Sequence, residues 1–361
     1  MESVEIAIVG GGLTGLSAGW RLALAGRSVA VLERFAIGHD RGSSHGATRI
    51  FRFAYADALY VSMAQTALPM WRELEAASGQ EILQITGGLD VGPAERLDAI
   101  ETAMRSCGAS CERLGAAERR SRYPWIEAGD NEALYSPDTG VLAAGRTLEA
   151  MAFAARAAGA TVIERTEVGA IELEDDGVVL QAGSGRLRAR RCIVGAGAWA
   201  GPLLRQIAEL PLRITREQVF YFRGADLAMP FIHWRSPARY LVPRFAGAAG
   251  VKVAEHMTGE STSAEGRSFE MDPEGAARVS GYVAETLPSL DPEPVAFETC
   301  LYTNTPDENF IIDAFGPLVV ASPCSGHGFK FGPIVGEALA CLATGREPPV
   351  PLDRFTARRF A

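Results

Sequence analysis

The sequence predicts an α/β protein made of a Rossmann-like unit on a parallel sheet and a second domain on an antiparallel sheet. Three observations carry this. Residues 4–9, VEIAIV, form an apolar strand pattern that runs into GGGLTG, a helical pattern to Ala25, and a second strand, GRSVAVLE. Between residues 211 and 300 the alternating segments REQVFYFRG, ARYLVPRF and GVKVAEHM suit antiparallel pairing. Near the end, PLVVASP precedes CSGHGFKFGP and the helical VGEALACLATG, again strand, glycines and helix. A chain of 361 residues exceeds the roughly 100–200 of one typical domain, so two domains are expected.

The N-terminal unit carries the most specific local signal. Gly10, Gly12 and Gly15 satisfy G-x-G-x-x-G between strand and helix, and Glu33 closes the second strand 23 residues after Gly10. The first glycine permits a tight turn, the second lets backbone approach a pyrophosphate, and the third lets helix pack on strand. The helix N-terminus attracts phosphate, and the acid suits a ribose hydroxyl. The pattern predicts dinucleotide binding; a Gly-rich turn without a ligand is the alternative.

Further along, periodicity predicts helices over 60–78, 94–117 and 143–158, with paired strands over 161–181. RCIVGAGAWAG (191–201) reads as a buried strand ending in a second Gly-rich turn. The basic run RLRARR (186–191) reads as a solvated turn without function. In SHGATRIFR (44–52), His45, Arg49 and Arg52 are spaced by four and three, which on a helix would align them on one face. Such a cationic strip faces an anion or water.

A net charge of −9 repels nucleic-acid backbones and anionic lipid, so neither is an expected partner. No apolar run reaches the roughly 18 residues of a membrane span. The six cysteines show no disulfide rhythm and MESVEIAIVGGG lacks a basic signal-peptide region, so the cytoplasm is the expected location. Cys107 and Cys111 lack a second ligand pair, so no metal is expected.

Four stretches far apart in the chain carry a resemblance: SHGATRIFR, GVKVAEH (250–256), CLYTNTPDENFIID (300–313) and SGHGFKF (325–331). With the N-terminal glycine motif, they resemble the monomeric sarcosine oxidase and N-methyltryptophan oxidase family, within the D-amino-acid-oxidase-like flavoproteins. The resemblance implies FAD, held by Gly10, Gly12, Gly15 and Glu33, with Arg34, Ser43, Val168 and Gly197 in the cofactor set. It implies a covalent thioether to Cys300, Cys324 being the rival cysteine. Gly326 and Gly328 would let backbone reach the flavin, with the following helix directed at its pyrimidine side, and Lys330 would border it as well.

By the same resemblance Arg49 and His45 lie beside the flavin ring, Arg52 and Lys330 hold a substrate carboxylate, and Lys252 activates oxygen. His256 and Tyr240 line the substrate amine side. Strand spacing puts residues 252, 254 and 256 on one face, so Lys252 and His256 are expected to point the same way. The implied partition gives FAD residues 1–85, 140–210 and 300–361, and the substrate residues 86–139 and 211–299.

The activity so implied is FAD-dependent oxidation of the C–N bond of a secondary or cyclic amino acid to an imine, with O2 reduced to H2O2, by a monomer. A flavin dehydrogenase using another acceptor, an NAD-dependent dehydrogenase sharing the N-terminal fingerprint, and a non-catalytic FAD-fold binding protein are the rivals. Asp57 where the family tends to carry Glu, Ala47 after Gly46, and the surroundings of His256 depart from a strict sarcosine pattern. They point to a bulkier or cyclic substrate such as an N-methyl amino acid or a pipecolate- or proline-like ring.

Overall fold

A computed structural model describes residues 2–360. Its first strand, Glu2–Val9, pairs in parallel with Val29–Leu32 on one side and Gly185–Val194 on the other. The helix Leu13–Leu24 crosses between the first two. An eight-stranded sheet grows from this centre. Thr161–Ile163 extends one edge in parallel, and the antiparallel hairpin Val168–Glu174 and Gly177–Ala182 lies beyond the long strand 185–194 on the other. Leu318–Ser322 joins the same long strand in parallel through Cys192–Val194. The chain thus returns twice to the same sheet, from residues 161–194 and 311–322.

Close packing at the first turn explains its glycines. Gly10 has φ of +105°, and a Cβ there would lie 2.5 Å from the Gly195 carbonyl. A Cβ on Gly15 would lie 1.9 Å from the Gly10 carbonyl oxygen, so only glycine lets the helix sit this close to the turn. The helix Gly332–Thr344 packs beside Leu13–Leu24 and ends at Gly345 in the left-handed conformation.

The second layer is a nine-stranded sheet drawn from residues 88–136 and 213–304. Its longest pairing joins Arg213–Gly224 to Leu290–Asn304 in antiparallel register, and Val251–Glu255 lies on the other side of Arg213–Gly224. Pairing is antiparallel throughout except where Phe231–His233 meets Gly88–Gly92. A small sheet of Thr48–Phe51, Gly140–Ala143 and Leu83–Ile85 completes the strands. Among the described residues, no helix is long and apolar enough to cross a membrane.

Three sequence expectations are corrected. SHGATRIFR is not helical: Gly46 takes φ of +96°, and Thr48–Phe51, with its β-branched Thr48 and Ile50, forms a strand. The helix expected over 94–117 stops at Ser106. Gly108 follows at φ of +69°, then the strand Glu112–Leu114 and a separate helix, Ala116–Arg122. RLRARR lies inside the strand Gly185–Val194, where Leu187 and Ala189 point inward. Arg186 and Arg188 point outward to Glu172, Glu174 and Asp176, so the run is solvated but not a turn.

Candidate active site

One cavity of about 580 Å³ runs from the Gly10–Gly12 turn to the face of the nine-stranded sheet. Every site residue expected from the sequence borders it except Gly15, which is spent on helix packing.

At the glycine end the wall is largely backbone. The helix Leu13–Leu24 is capped by Gly12, which offers no side-chain acceptor to the first-turn N–H groups. Glu33 accepts from Gly11 N–H at 2.7 Å and Phe35 N–H at 2.8 Å. Burial opposes its ionisation, but hydrogen bonds from His39, Phe35 and Gly11 outweigh burial and lower its pKa. Glu33 is therefore an acceptor-only carboxylate, although those two N–H groups hold it at present. Arg34 pairs with Glu265 and, at 3.4 Å, with Glu167, while Trp199 donates to Glu265 at 2.8 Å. Val168 and Gly197 complete this wall, and Ser43 donates its hydroxyl to the Leu301 carbonyl at 2.6 Å.

At the other end the wall is cationic. Arg49 does not extend along a helix face but folds back on its own segment, donating to the carbonyls of Thr48 (2.9 Å), Ser43 (3.1 Å) and His45 (2.6 Å). This fixes the loop that carries His45. Burial, then Arg49, lowers the His45 pKa to about 3, so its ring is neutral, and its Nε2 is buried with no partner.

Lys252, 2% exposed, donates to the Thr48 carbonyl; burial and then Arg49 lower its pKa to about 7. His256 follows immediately after Val251–Glu255 and also borders the cavity; burial, then Arg52 and Lys330, lowers its pKa to about 4. Its ring lies 5.8 Å from that of Tyr302, and Gly326 makes this approach possible, since a Cβ there would meet both rings. Tyr240 borders the same space.

Arg52 and Lys330 meet at one tyrosine. The Arg52 guanidinium lies 4.2 Å from the Tyr55 ring centroid, and the Lys330 ammonium lies 5.4 Å from it while donating to Tyr55 Oη and the His327 carbonyl, both at 2.8 Å. Burial, then Arg52 and Arg49, pulls Lys330 well below the usual lysine pKa. One Arg52 nitrogen, Nη1, is buried without a hydrogen-bond partner. Two basic side chains meet at the Tyr55 ring with one buried carboxylate, Asp90, 3.9 Å from that Arg52 nitrogen, an arrangement with room for a second anion at the cavity face.

Cys300 and Cys324 both border the cavity. Burial pushes the Cys300 thiol up to about 11, so it rests protonated, and Cys324 Sγ accepts from the Thr303 N–H at 3.3 Å. Gly328 and Lys330 lie on the turn that leads into the helix Gly332–Thr344.

Sequence reasoning missed three side chains. Asp90, 3% exposed, accepts from Trp234 Nε1 at 2.8 Å and stands 3.9 Å from Arg52. Trp234 borders the cavity with Arg96 stacked at 4.1 Å from its ring, and Glu298 borders the cation end. The composition also carries a signal for this end of the cavity. Of the 35 basic residues only Lys252 and Lys330 are lysines, and both lie in this cavity, where a compact ammonium differs chemically from guanidinium.

These residues fit FAD: a side-chain-free turn at a helix N-terminus for the diphosphate, an ionised Glu33 near it, and a buried, partnerless ring nitrogen of His45 at the far end. The fold and cavity define a dinucleotide-dependent oxidoreductase. The chain belongs to the FAD dependent oxidoreductase family, whose model matches residues 5–342, and within it to the sarcosine oxidase and N-methyltryptophan oxidase group. It is 31% identical to monomeric sarcosine oxidase of Bacillus sp. (strain NS-129), covering 99% of this chain and 97% of that one. N-methyl-L-tryptophan oxidase of Salmonella arizonae is 29% identical, covering 99% of each. The open form of NikD, an unusual amino acid oxidase essential for nikkomycin biosynthesis, superposes with a TM-score of 0.88 at 26% identity, covering 99% of this chain and 98% of that one.

Proposed function

We propose that this FAD-dependent oxidoreductase oxidises the C–N bond of a secondary or cyclic amino acid to an imine and passes the electrons to O2, releasing H2O2. The observation that carries the reading is the pair Arg52 and Lys330 against Tyr55, an anion site facing the cavity that also holds Lys252. Bound FAD supplies a two-electron acceptor for the substrate and a two-electron donor for O2. Substrate loses two electrons and two protons in becoming the imine, and O2 takes up the same number in becoming H2O2.

Arg52 and Lys330 clamp the substrate carboxylate and so orient the carbon next to nitrogen. Such positioning is worth up to ~7–11 kcal/mol in favourable intramolecular reactions. His256, neutral above pH 4, offers a lone pair on the amine side with Tyr240. The Lys252 ammonium borders the cavity and would stabilise the charge that develops as O2 is reduced. His45 and Arg49, which border the same cavity, would lie beside the ring of the cofactor. Residues 86–139 and 211–299 form the substrate part in this reading, and the remainder holds FAD.

The linkage to Cys300 belongs to the same proposal. The thioether would replace the thiol S–H bond and one C–H bond of the flavin methyl group, the two electrons released passing by way of the flavin to O2, and Arg49 and Lys252 both favour loss of the thiol proton. A monomer acting in the cytoplasm completes the reading, supported by similarity to relatives named monomeric and by six free cysteines.

Acid precipitation of the yellow holoenzyme tests the linkage: colour stays in the pellet and leaves it in Cys300→Ser. Anaerobic addition of sarcosine, N-methyltryptophan, L-proline and L-pipecolate tests the reaction. Bleaching by one of them, with H2O2 formed on admission of air, is the expected result; bleaching by none contradicts it.

A further inference from the structure

Four carboxylates border the cavity, Glu33, Glu167, Glu265 and Glu298. The first three are engaged at the glycine end: Glu33 by backbone N–H groups, Glu167 and Glu265 by Arg34. Glu298 alone among them stands with the cations. Asp90, behind Arg52, does not border the cavity and is tied to Trp234.

Register places Glu298 with respect to Lys252. On Leu290–Asn304, Glu298 lies opposite Val219; two residues along Arg213–Gly224, Tyr221 lies opposite both Ala296 and Lys252. Alternate strand residues share a face, so Glu298, Tyr221 and Lys252 form a diagonal row on one side of the sheet. Gly46 anchors the geometry from the facing loop. A Cβ there would lie 2.8 Å from Glu298 Oε2 and 3.1 Å from Arg49 Nη1, so carboxylate and guanidinium are no farther apart than the sum of those distances. The buried Tyr221 hydroxyl on the same row interacts with Glu298, which together with burial raises its pKa.

We propose that Glu298 is the counter-charge that keeps Lys252 an ammonium at the oxygen side of the cavity, a positioning residue acting through Lys252. The inference rests on the role given to Lys252 above. The groups facing Lys252 are Arg49 and the Thr48 carbonyl from Thr48–Phe51, Tyr221 from Arg213–Gly224, and Glu298 and Cys300 from Leu290–Asn304; Val242, its partner on Arg239–Val242, does not titrate. Burial raises both Tyr221 and Cys300, so neither carries charge near neutrality. Glu298 is the one carboxylate in the set. Burial and Arg49 draw the Lys252 pKa down to about 7 against the pull of Glu298, so a change in counter-charge shifts the ammonium population near neutral pH.

Because the sequence holds two lysines, holoenzyme labelled with 13Cε-lysine gives two lysine side-chain signals, and Lys252→Met assigns them. The expected midpoint for Lys252 is near pH 7. Glu298→Gln should lower it by roughly one pH unit, while Glu298→Asp, which keeps the charge, should hold it. In parallel, holoenzyme reduced with dithionite and mixed with O2 reads the oxygen step without any amine. The ammonium is the form present below the midpoint. Reoxidation should therefore fall as pH rises through that midpoint, and in Glu298→Gln the fall should come at lower pH, leaving a rate about tenfold slower above both midpoints. An unmoved Lys252 titration in Glu298→Gln, with reoxidation still sensitive to Lys252→Met, overturns the inference alone. Reoxidation insensitive to Lys252→Met overturns the Lys252 reading and the inference with it.

Discussion

At one end of the cavity a glycine turn presents backbone N–H groups; at the other, Arg49, Arg52, Lys252 and Lys330 converge from three separate regions of the chain. The first end is built by close approach, and its tolerance for change is set by space. The second is built by charge held out of water, and its tolerance is set by which neighbours compensate each cation. Mutations should therefore fail differently: loss of cofactor and fold at the glycine end, loss of rate in an intact yellow protein at the cationic end.

Gly15→Val should show the largest effect. Its Cβ cannot occupy a position 1.9 Å from the Gly10 carbonyl without moving helix or turn. A cost of about 3 kcal/mol or more is expected, read as lost flavin absorbance per protein and a lowered melting temperature. Retention of full flavin content would break the distinction between the two ends.

Arg52→Met comes next and should leave flavin content unchanged. Losing one partner of a buried charged contact with substrate costs about 2–5 kcal/mol, so kcat/KM should fall at least about 30-fold, with kcat falling too. A raised KM alone would mean that Arg52 binds without orienting. Asp90→Ala sharpens the comparison, because Asp90 supports the clamp without bordering the cavity. Burial raises its pKa against the pull of Arg52 and the Trp234 N–H, and its removal leaves that indole donor unpaired. Urea unfolding of the holoenzyme should show a loss of roughly 1–3 kcal/mol. Arg186→Gln, in a half-exposed pair with Glu172 far from either end, should change stability by about 0.5 kcal/mol at most and leave flavin content alone.

The glycine end was legible because its parts are contiguous: strand, turn, helix and acid fall within Val4–Glu33 and each glycine has a separate steric reason. The cationic end was legible only in part. The resemblance pointed to Arg49, Arg52, Lys252, His256 and Lys330, and all five border the cavity. The helical spacing read into His45, Arg49 and Arg52 was misleading, because Gly46 turns the chain with positive φ and Arg49 then folds back on carbonyls. Asp90, Trp234 and Glu298 could not be found from alternation alone. Each sits where a strand residue or its neighbour faces inward, and only sheet register decides which cation it meets. The two-lysine count was the one composition signal that singled out this end.

In the proposed reaction a carboxylate held by Arg52 and Lys330 orients the oxidised carbon. This clamp is tested most directly by anaerobic reduction of the holoenzyme with matched pairs, each amino acid beside the amine lacking only its carboxylate, such as L-pipecolate and piperidine. The expected result is rapid bleaching by the amino acid, little by the amine, and in Arg52→Met a rate for the amino acid that drops toward that of the amine. Equal bleaching by both members of the pair would contradict the carboxylate clamp.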